Sequence, residues 1–387
     1  MNDNIYFMAL GGGQHVGASC YYIKLGLSNL ILDCGLGIDQ NILFEPNLYC
    51  LLTSPFIQSL SQLNQVYISH AHLDHVGYLP KLLKETPNTP VFMTEMTAFL
   101  SEYQIYDKNF INPYRKHTKE RERIATQYLL ENKVVYVSYM QTIDMQQYKV
   151  TFFPAGHIPG AMMMLFEYKN RKILYTGDFS VSATPLTDGF SLPDGIEIDT
   201  VIMCGLYAKR PSVKRYSDGL RRLVEQVIHL LQNGRNVYCR VQQLSKGVEF
   251  LKVLNERNKE ENLNYNIFIE EEVFRIVKKM EQLSIPIITE NNYLLGTCKE
   301  KQMHVIIGSK KIDLFPEYEK VKVDFTLHVN FDEMIQFIKR INPKKAVIVH
   351  CSEQDKDSGD TIEQRLMTDA QSRTQFIFAE EEERYII

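Results

Sequence analysis

The stretch Ser69-His70-Ala71-His72-Leu73-Asp74-His75-Val76-Gly77 decides how this chain is read. The protein has only ten histidines in 387 residues, and three of them fall between positions 70 and 75. Val66 to Ser69 is a short apolar-rich run, so the pattern predicts a strand that ends where the histidines begin. His70 and His72 alternate and can point to the same side of an extended loop. Asp74 and His75 follow at once and can serve a second point. A single histidine on an apolar face is more often a packed core residue. Three imidazoles and a carboxylate in six residues are difficult to justify as core or as ordinary surface. Neutral imidazole and carboxylate are favoured ligands for Zn²⁺.

Around this stretch the chain alternates strands and helices. Cys20 to Lys24 and Asn29 to Asp33, separated by Gly26-Leu27-Ser28, read as a hairpin. Pro90 to Thr94 continues the strand theme, and helix-like segments follow through Tyr128. Met162 to Tyr168 and Ile173 to Thr176 form a second hairpin. After Thr200 the rhythm becomes regular. Val201 to Cys204 is a strand, and Leu220, Leu223, Val224, Val227, Leu230 and Leu231 keep helical spacing up to Gly234. Strands at Asn236–Val241, Tyr265–Ile269 and His304–Ile307 alternate with helices at Lys246–Leu254 and Val273–Leu283. That alternation implies a parallel sheet with flanking helices. Phe331 to Ile341 is helical, and Ala346–Val349 and Gln375–Ala379 are strands.

Composition narrows the class. Hydrophobic residues are 44% and charged residues 23%, ordinary for a globular protein. No apolar run approaches the ~20 residues of a membrane span, and the first residues do not read as a signal peptide. Seven scattered cysteines without a CxxC pair suit reduced thiols in a cytoplasmic protein. The formal charge of -4 is a sum of unlike parts. Residues 201–330 carry 21 basic and 16 acidic residues, against 22 and 31 elsewhere. Lys209, Arg210, Lys214, Arg215, Arg221 and Arg222 cluster early in that basic segment. They read either as a solvated face or as a patch that steers phosphates. The acidic run Glu380 to Glu383 reads as solvated surface.

Two further pieces fit the histidine stretch. Ala155-Gly156-His157-Ile158-Pro159-Gly160 places a histidine in a small-residue turn. Tyr175-Thr176-Gly177-Asp178-Phe179-Ser180 places an aspartate just past a hairpin strand. Either alone is more often a turn or cap residue.

Taken in order, HxHxDH, a downstream His and an Asp in a TGD-like turn, the motifs resemble those of the metallo-β-lactamase superfamily. Asp33 in Leu32-Asp33-Cys34-Gly35 looks like its first motif, an aspartate that supports the site. Gly11-Gly12-Gly13-Gln14-His15-Val16-Gly17-Ala18-Ser19-Cys20 is similar to the opening of one branch, the β-CASP nucleases, which includes ribonuclease J. The resemblance implies an α/β fold: a metallo-β-lactamase αββα four-layer sandwich with an inserted α/β β-CASP domain. The expected boundaries are 1–204 for the first part, 205–320 for the insertion and 321–387 for the C-terminal part. The short stretch after His350 is expected to leave no room for a further dimerisation domain.

The resemblance also implies roles. His70, His72 and His157 would hold one Zn²⁺, and Asp74, His75 and His350 a second. Asp178 would bridge the two Zn²⁺ ions. Ala346-Val347-Ile348-Val349-His350 matches the branch's motif C, where His goes mainly with RNA-processing members. Motif B is matched at His328 but without its flanking Ser and Asp. Motif A expects an acid where this chain has Cys204. His328 would be the general acid, with Glu353 or Asp324 as substitutes for the missing acid. Lys209, Arg210 and Lys246 would contact substrate.

The implied activity is cleavage of single-stranded RNA, with Asp74, Asp178 and His328 as catalytic residues. Cys204 motivates a second reading, a weakly active or non-catalytic subunit that binds RNA or a partner. A DNA nuclease and a small-molecule hydrolase of the same superfamily complete the alternatives. A protein partner or a second copy of the chain stays open; a membrane partner is not expected.

Overall fold

The computed structural model describes residues 4–40, 42–106, 132–211, 216–241, 244–296, 303–309, 316–351, 361–367 and 374–387. The helix-like reading that runs to Tyr128, and Lys214, Arg215 and Glu353, lie outside the described residues.

The chain divides into two compact units. The first contains Met1–Ser182, Gly189–Val213 and His328–Ile387, and the second Ala183–Asp188 and Lys214–Leu327. The first unit is built on two seven-stranded sheets. One runs, in spatial order, Arg384–Ile386, Tyr6–Gly11, Cys20–Leu25, Ser28–Leu32, Gln65–Tyr67, Val91–Met93 and Val134–Tyr136. The other runs Gln375–Phe378, Lys345–Val349, Thr200–Cys204, Arg171–Tyr175, Met162–Tyr168, Lys149–Pro154 and Thr142–Asp144.

The two-residue period of the strands explains how these sheets pack. Phe7 and Ala9 join a core with Tyr21, Leu30, Phe152, Met164, Phe166 and Val347, which come from both sheets. Met8 and Leu10 point the other way, into a second core with Leu51, Val76, Leu79 and Leu82. So the sheets face each other, and helices cover the outside. The helix Phe331–Ile341 buries Phe331, Met334, Phe337, Ile338 and Ile341. Its Phe337 ring lies 4.7 Å from that of Phe179. Asn330 caps it, accepting from the Glu333 amide while Glu333 accepts from the Asn330 amide; this reciprocal pair satisfies two otherwise orphaned donors. The four-layer α/β architecture expected from the sequence is the one found.

The second unit has one five-stranded sheet, in the order Asn292–Leu294, Asn266–Ile269, His304–Gly308, Val237–Val241 and Glu319–Val323. Every neighbouring pair is parallel. The helices Leu244–Glu260 and Glu271–Gln282 supply two of the crossovers, and Tyr216–Gln232 precedes the sheet's first strand. This is the parallel sheet with flanking helices that the alternation predicts.

Several strands carried no readable signal. Tyr6–Gly11 is an inner strand, buried on both faces, so it shows no alternation. Thr142–Asp144, Asn292–Leu294 and Arg384–Ile386 have three residues each, too few for a period.

One local packing arrangement holds the histidine stretch in place. Beyond Ser28–Leu32 the chain threads along residues 72–75. Cys34 N–H donates to His75 C=O (2.7 Å), Leu36 N–H to Leu73 C=O (3.0 Å), and Ser19 N–H to Asp74 C=O (2.9 Å). At Gly35 a β-carbon would lie 1.8 Å from the Asp74 carbonyl oxygen. Gly35→Ala therefore has to push the Asp74 peptide away. It should cost about 3 kcal/mol, as overpacking does in a tight core, and lower bound metal in parallel. A urea-unfolding midpoint and a metal assay on the variant check this; an unchanged midpoint contradicts the threading.

Candidate metal centre

Six site positions lie at or just past the C-terminal ends of strands. Asp33 follows Ser28–Leu32, His70 follows Gln65–Tyr67, and His157 follows Lys149–Pro154. Asp178 follows Arg171–Tyr175, Cys204 ends Thr200–Cys204, and His350 follows Lys345–Val349. Within each sheet the strands carrying Asp33 and His70, and those carrying Asp178, Cys204 and His350, run parallel. Parallel strands bring their C-terminal ends to one edge, where α/β sheets place their sites. Residues far apart in sequence therefore meet.

Three groups result. Ligand atoms of His70, His72, His157 and Asp178 lie within 4.8 Å of one another. Those of Asp74, His75 and His350 do the same, as do those of Asp178, Cys204 and His328. Thus the structure brings together all seven residues expected as ligands, with His328 beside them.

Asp178 is the hub. It is 1% exposed. Its Oδ2 lies 3.4 Å from His75 Nε2, 3.6 Å from His70 Nε2, 3.6 Å from His328 Nδ1 and 3.7 Å from His157 Nε2. Yet neither carboxylate oxygen has a hydrogen-bond partner of acceptable geometry. A buried carboxylate in that condition is costly unless a cation compensates it. Among the described residues His72 Nε2 and His75 Nε2 are likewise buried without a hydrogen-bond partner.

The imidazoles point to the same need. His72 Nδ1 lies 3.1 Å from both His70 Nε2 and His157 Nε2. Three ring nitrogens at that spacing converge naturally as lone pairs on a cation. Burial, with His75 next, holds the His70 pKa well below the ordinary value. Burial, with His157 next, does the same for His72. Both rings are therefore neutral, the form that ligates metal. The donor set fits divalent metal.

A layer behind the ligands orients them. Asp33 accepts from Ser69 N–H (2.6 Å), Ser69 Oγ–H (2.7 Å), Tyr175 Oη–H (2.5 Å) and His75 Nδ1 (2.7 Å). The Asp33 contact at Nδ1 fixes the His75 ring so that its Nε2 faces Asp178. Burial works against the charged form of His75, but Asp178 and Asp33 outweigh it and raise its pKa well above the ordinary value. The same balance runs the other way at Asp178. Burial works to raise its pKa, but His75 and His328 outweigh burial and lower it. Ser69 Oγ, whose proton goes to Asp33, can accept from His70 Nδ1 at 3.0 Å.

His350 has a left-handed backbone, φ +55°, a strained conformation for a residue with a side chain. Its N–H donates to Gly12 C=O (2.6 Å), and Ser19 Oγ lies 3.0 Å from its Nδ1. Ser19 and Tyr175 were not singled out from sequence. Their signals are long-range contacts, and nothing local marks them.

The remaining site residues are placed as follows. His328 Nδ1 lies 3.9 Å from Cys204 Sγ, and its ring meets that of Tyr207 edge-on at 6.3 Å. Burial, and next Asp178, push the Cys204 thiol well above its ordinary pKa. Lys209 is buried, its ammonium 4.8 Å from the centre of the Phe378 ring. Arg210 lies 5.5 Å from the centre of the Tyr207 ring. In the second unit Lys246 pairs with Asp324 at 3.4 Å, and burial lowers its pKa against the pull of Asp324.

With that geometry in place, comparison with known proteins is informative. The family described as the metallo-beta-lactamase superfamily matches residues 14–216. This chain belongs to the metallo-β-lactamase superfamily. It sits in the β-CASP nuclease branch expected from the glycine-rich opening and His350. It is similar to a probable RNase MJ4 of Methanocaldococcus jannaschii, with 28% identity over 89% of this chain and 92% of that protein. It is 28% identical to endoribonuclease ysh-1 of Neurospora crassa, over 66% of this chain and 29% of the relative. RNase aCSPSF2 of Saccharolobus solfataricus is 26% identical over 66% of this chain and 49% of its own length. The chain thus spans less than a third of the fungal relative and about half of that archaeal one. A crystal structure described as a protein of unknown function from Enterococcus faecalis V583 shares the fold. Its TM-score is 0.66 at 13% identity, covering 99% of this chain and all of the other. Among the described residues, no helix of this superfamily member is long and apolar enough to cross a membrane.

Asp33 supplies the test of this arrangement. Asp33→Asn keeps the shape but replaces one acceptor oxygen by a donor. Metal affinity should fall by about 10–100-fold, read by competition with a coloured chelator. Wild-type affinity in the variant would show that His75 is oriented by something else.

Proposed function

We propose that this chain is a ribonuclease that uses two Zn²⁺ ions to hydrolyse phosphodiester bonds in single-stranded RNA. The observation that supports it best is the buried carboxylate of Asp178, which has no hydrogen bond of acceptable geometry among the described residues and lies at the centre of two ligand groups. The relatives named as ribonucleases point the same way. His70, His72 and His157 would hold one ion, Asp74, His75 and His350 the other, and Asp178 both. Ions so held supply a water nucleophile ionised near neutral pH and neutralise charge on the phosphate.

The chain's own groups do the rest. Asp178 keeps a negative charge at the centre of the site and fixes the separation of the two ligand groups. Asp33 and Ser19 hold the tautomers of His75 and His350. Leaving-group protonation falls to His328. Its Nδ1 faces Asp178 and Cys204, so Nε2 would be the atom that passes the proton. The carboxylate that aims it is Asp178, since Cys204 stands where the branch has an acid. Arg210 and Lys246 are proposed to contact phosphates. Lys209, buried against Phe378, would act there only through its neighbours. Among the described residues six of the seven cysteines are free thiols, which suits the reducing, cytoplasmic setting that goes with this reading.

One observation favours a second reading. The thiol at Cys204 weakens the aiming of His328, which suits a slow enzyme or a subunit whose main task is binding.

Cleavage of 5′-labelled single-stranded RNA separates these readings. With zinc supplied, Asp74→Ala and Asp178→Ala should abolish cleavage. His328→Ala should slow it by about 10²–10⁴-fold, as loss of a general acid does. Cleavage should weaken steeply as salt rises. An Asp74→Ala protein as active as wild type contradicts the proposal, and DNA cut faster than RNA contradicts the substrate. Zinc-loaded protein that binds RNA without turnover leaves the second reading standing.

A further inference from the structure

The third group of ligand-type atoms, from Asp178, Cys204 and His328, is not used by either ion of the proposed pair as a set. A single imidazole nitrogen, His328 Nδ1, faces both partners, at 3.9 Å from Cys204 Sγ and 3.6 Å from Asp178 Oδ2. These spacings match those of the second ligand group. There His350 Nε2 and His75 Nε2 lie 3.7 and 4.0 Å from Asp74 Oδ2. A tetrahedral ion about 2.3 Å from sulfur and about 2.0 Å from nitrogen and oxygen sets its ligand atoms roughly 3.3–3.6 Å apart. Only a small contraction is needed. Cys204 and Asp178 are 2% and 1% exposed. The Asp178 oxygens lack hydrogen-bond partners. The His328 side chain is 19% exposed, so the group has an open side.

We propose that Cys204, His328 and Asp178 form an additional, sulfur-containing metal position. It takes a soft divalent ion such as zinc, cobalt or cadmium once the two main ligand groups are supplied. Binding breaks the Cys204 S–H bond, releases that proton to solvent and forms a sulfur–metal bond. Thiolate ligation selects these ions over magnesium and calcium. The position shares Asp178 with the other two ions, so cation repulsion makes it the weakest of the three. Its occupation takes the lone pair of His328 Nδ1, so the ring can no longer be an imidazolium and its Nε2–H becomes too weak an acid for the proton transfer. Excess zinc therefore inhibits where excess magnesium does not. This inference rests on the reading of Asp178 as a ligand in the proposed function.

Titration of the metal-free full chain with Co²⁺ tests it. The first additions should give the visible bands of nitrogen and oxygen ligation. Further Co²⁺ should add the near-ultraviolet sulfur-to-cobalt charge-transfer band. That band should vanish in Cys204→Ser and Cys204→Ala and persist in Cys351→Ser, whose thiol is also buried. In cleavage assays excess zinc should slow wild type by about 10²-fold, the scale of losing a general acid. The ratio of rates with and without excess zinc should stay near one in Cys204→Ser. Visible bands with no charge-transfer band at any cobalt excess overturn this inference and leave the proposed function intact. So does a band that survives both Cys204 substitutions. Absence of any cobalt binding overturns both.

Discussion

A buried negative charge organises this molecule. Asp178 sits at 1% exposure with four histidine nitrogens within 3.7 Å of one oxygen and no hydrogen bond of its own. Taking a carboxylate out of water costs several kcal/mol even after relaxation. Such a group persists only where positive charge repays that cost. The histidines cannot all provide it. Burial, helped by neighbouring imidazoles, lowers the pKa of His70 and His72, while Asp178 and Asp33 raise that of His75 against its burial. The remaining charge deficit is what a pair of divalent ions would fill.

A second carboxylate makes that arrangement stable. Asp33 is also fully buried, but it is saturated by four donors, one of them His75. The contrast separates two jobs. A saturated carboxylate positions, and an unsaturated one waits for a ligand. Both leave the ends of inner strands, each paired antiparallel on one side and parallel on the other, so each is fixed by two ladders of backbone hydrogen bonds. His350 extends the principle. Its left-handed backbone is held by Gly12 and its ring by Ser19, and strain of this kind survives only where the surroundings over-determine it.

Legibility from sequence followed distance along the chain. His70, His72, Asp74 and His75 are local, and their density announces them. His157, Asp178 and His350 are single residues in turns. They became readable only as an ordered set that resembles a family, because only the fold brings them together. Ser19 and Tyr175 reach their partners across 331 and 142 positions, and no pattern encodes that. The lysines show the opposite failure. A count of charges treats Lys209 as part of a basic patch, whereas the residue is buried with its ammonium over the Phe378 ring. Long cationic side chains are apolar over most of their length, so composition does not say where they end.

Cys204 is best understood through the same charge balance. An acid at its position would set a second carboxylate within 4.8 Å of Asp178. Two carboxylates that close cannot both ionise freely, and one pKa rises. A branch member with an acid there accepts that repulsion in return for a charged partner for the motif B histidine. A thiol removes the repulsion, because burial and Asp178 keep it protonated. Asp178 then keeps its negative charge, and His328 Nδ1 faces a thiol and that one carboxylate. The substitution therefore moves one carboxylate's influence from the proton donor to the metal centre. It also places a soft donor where the resemblance expects a hard one, so under the proposed roles metal identity and proton transfer would be linked at a single side chain.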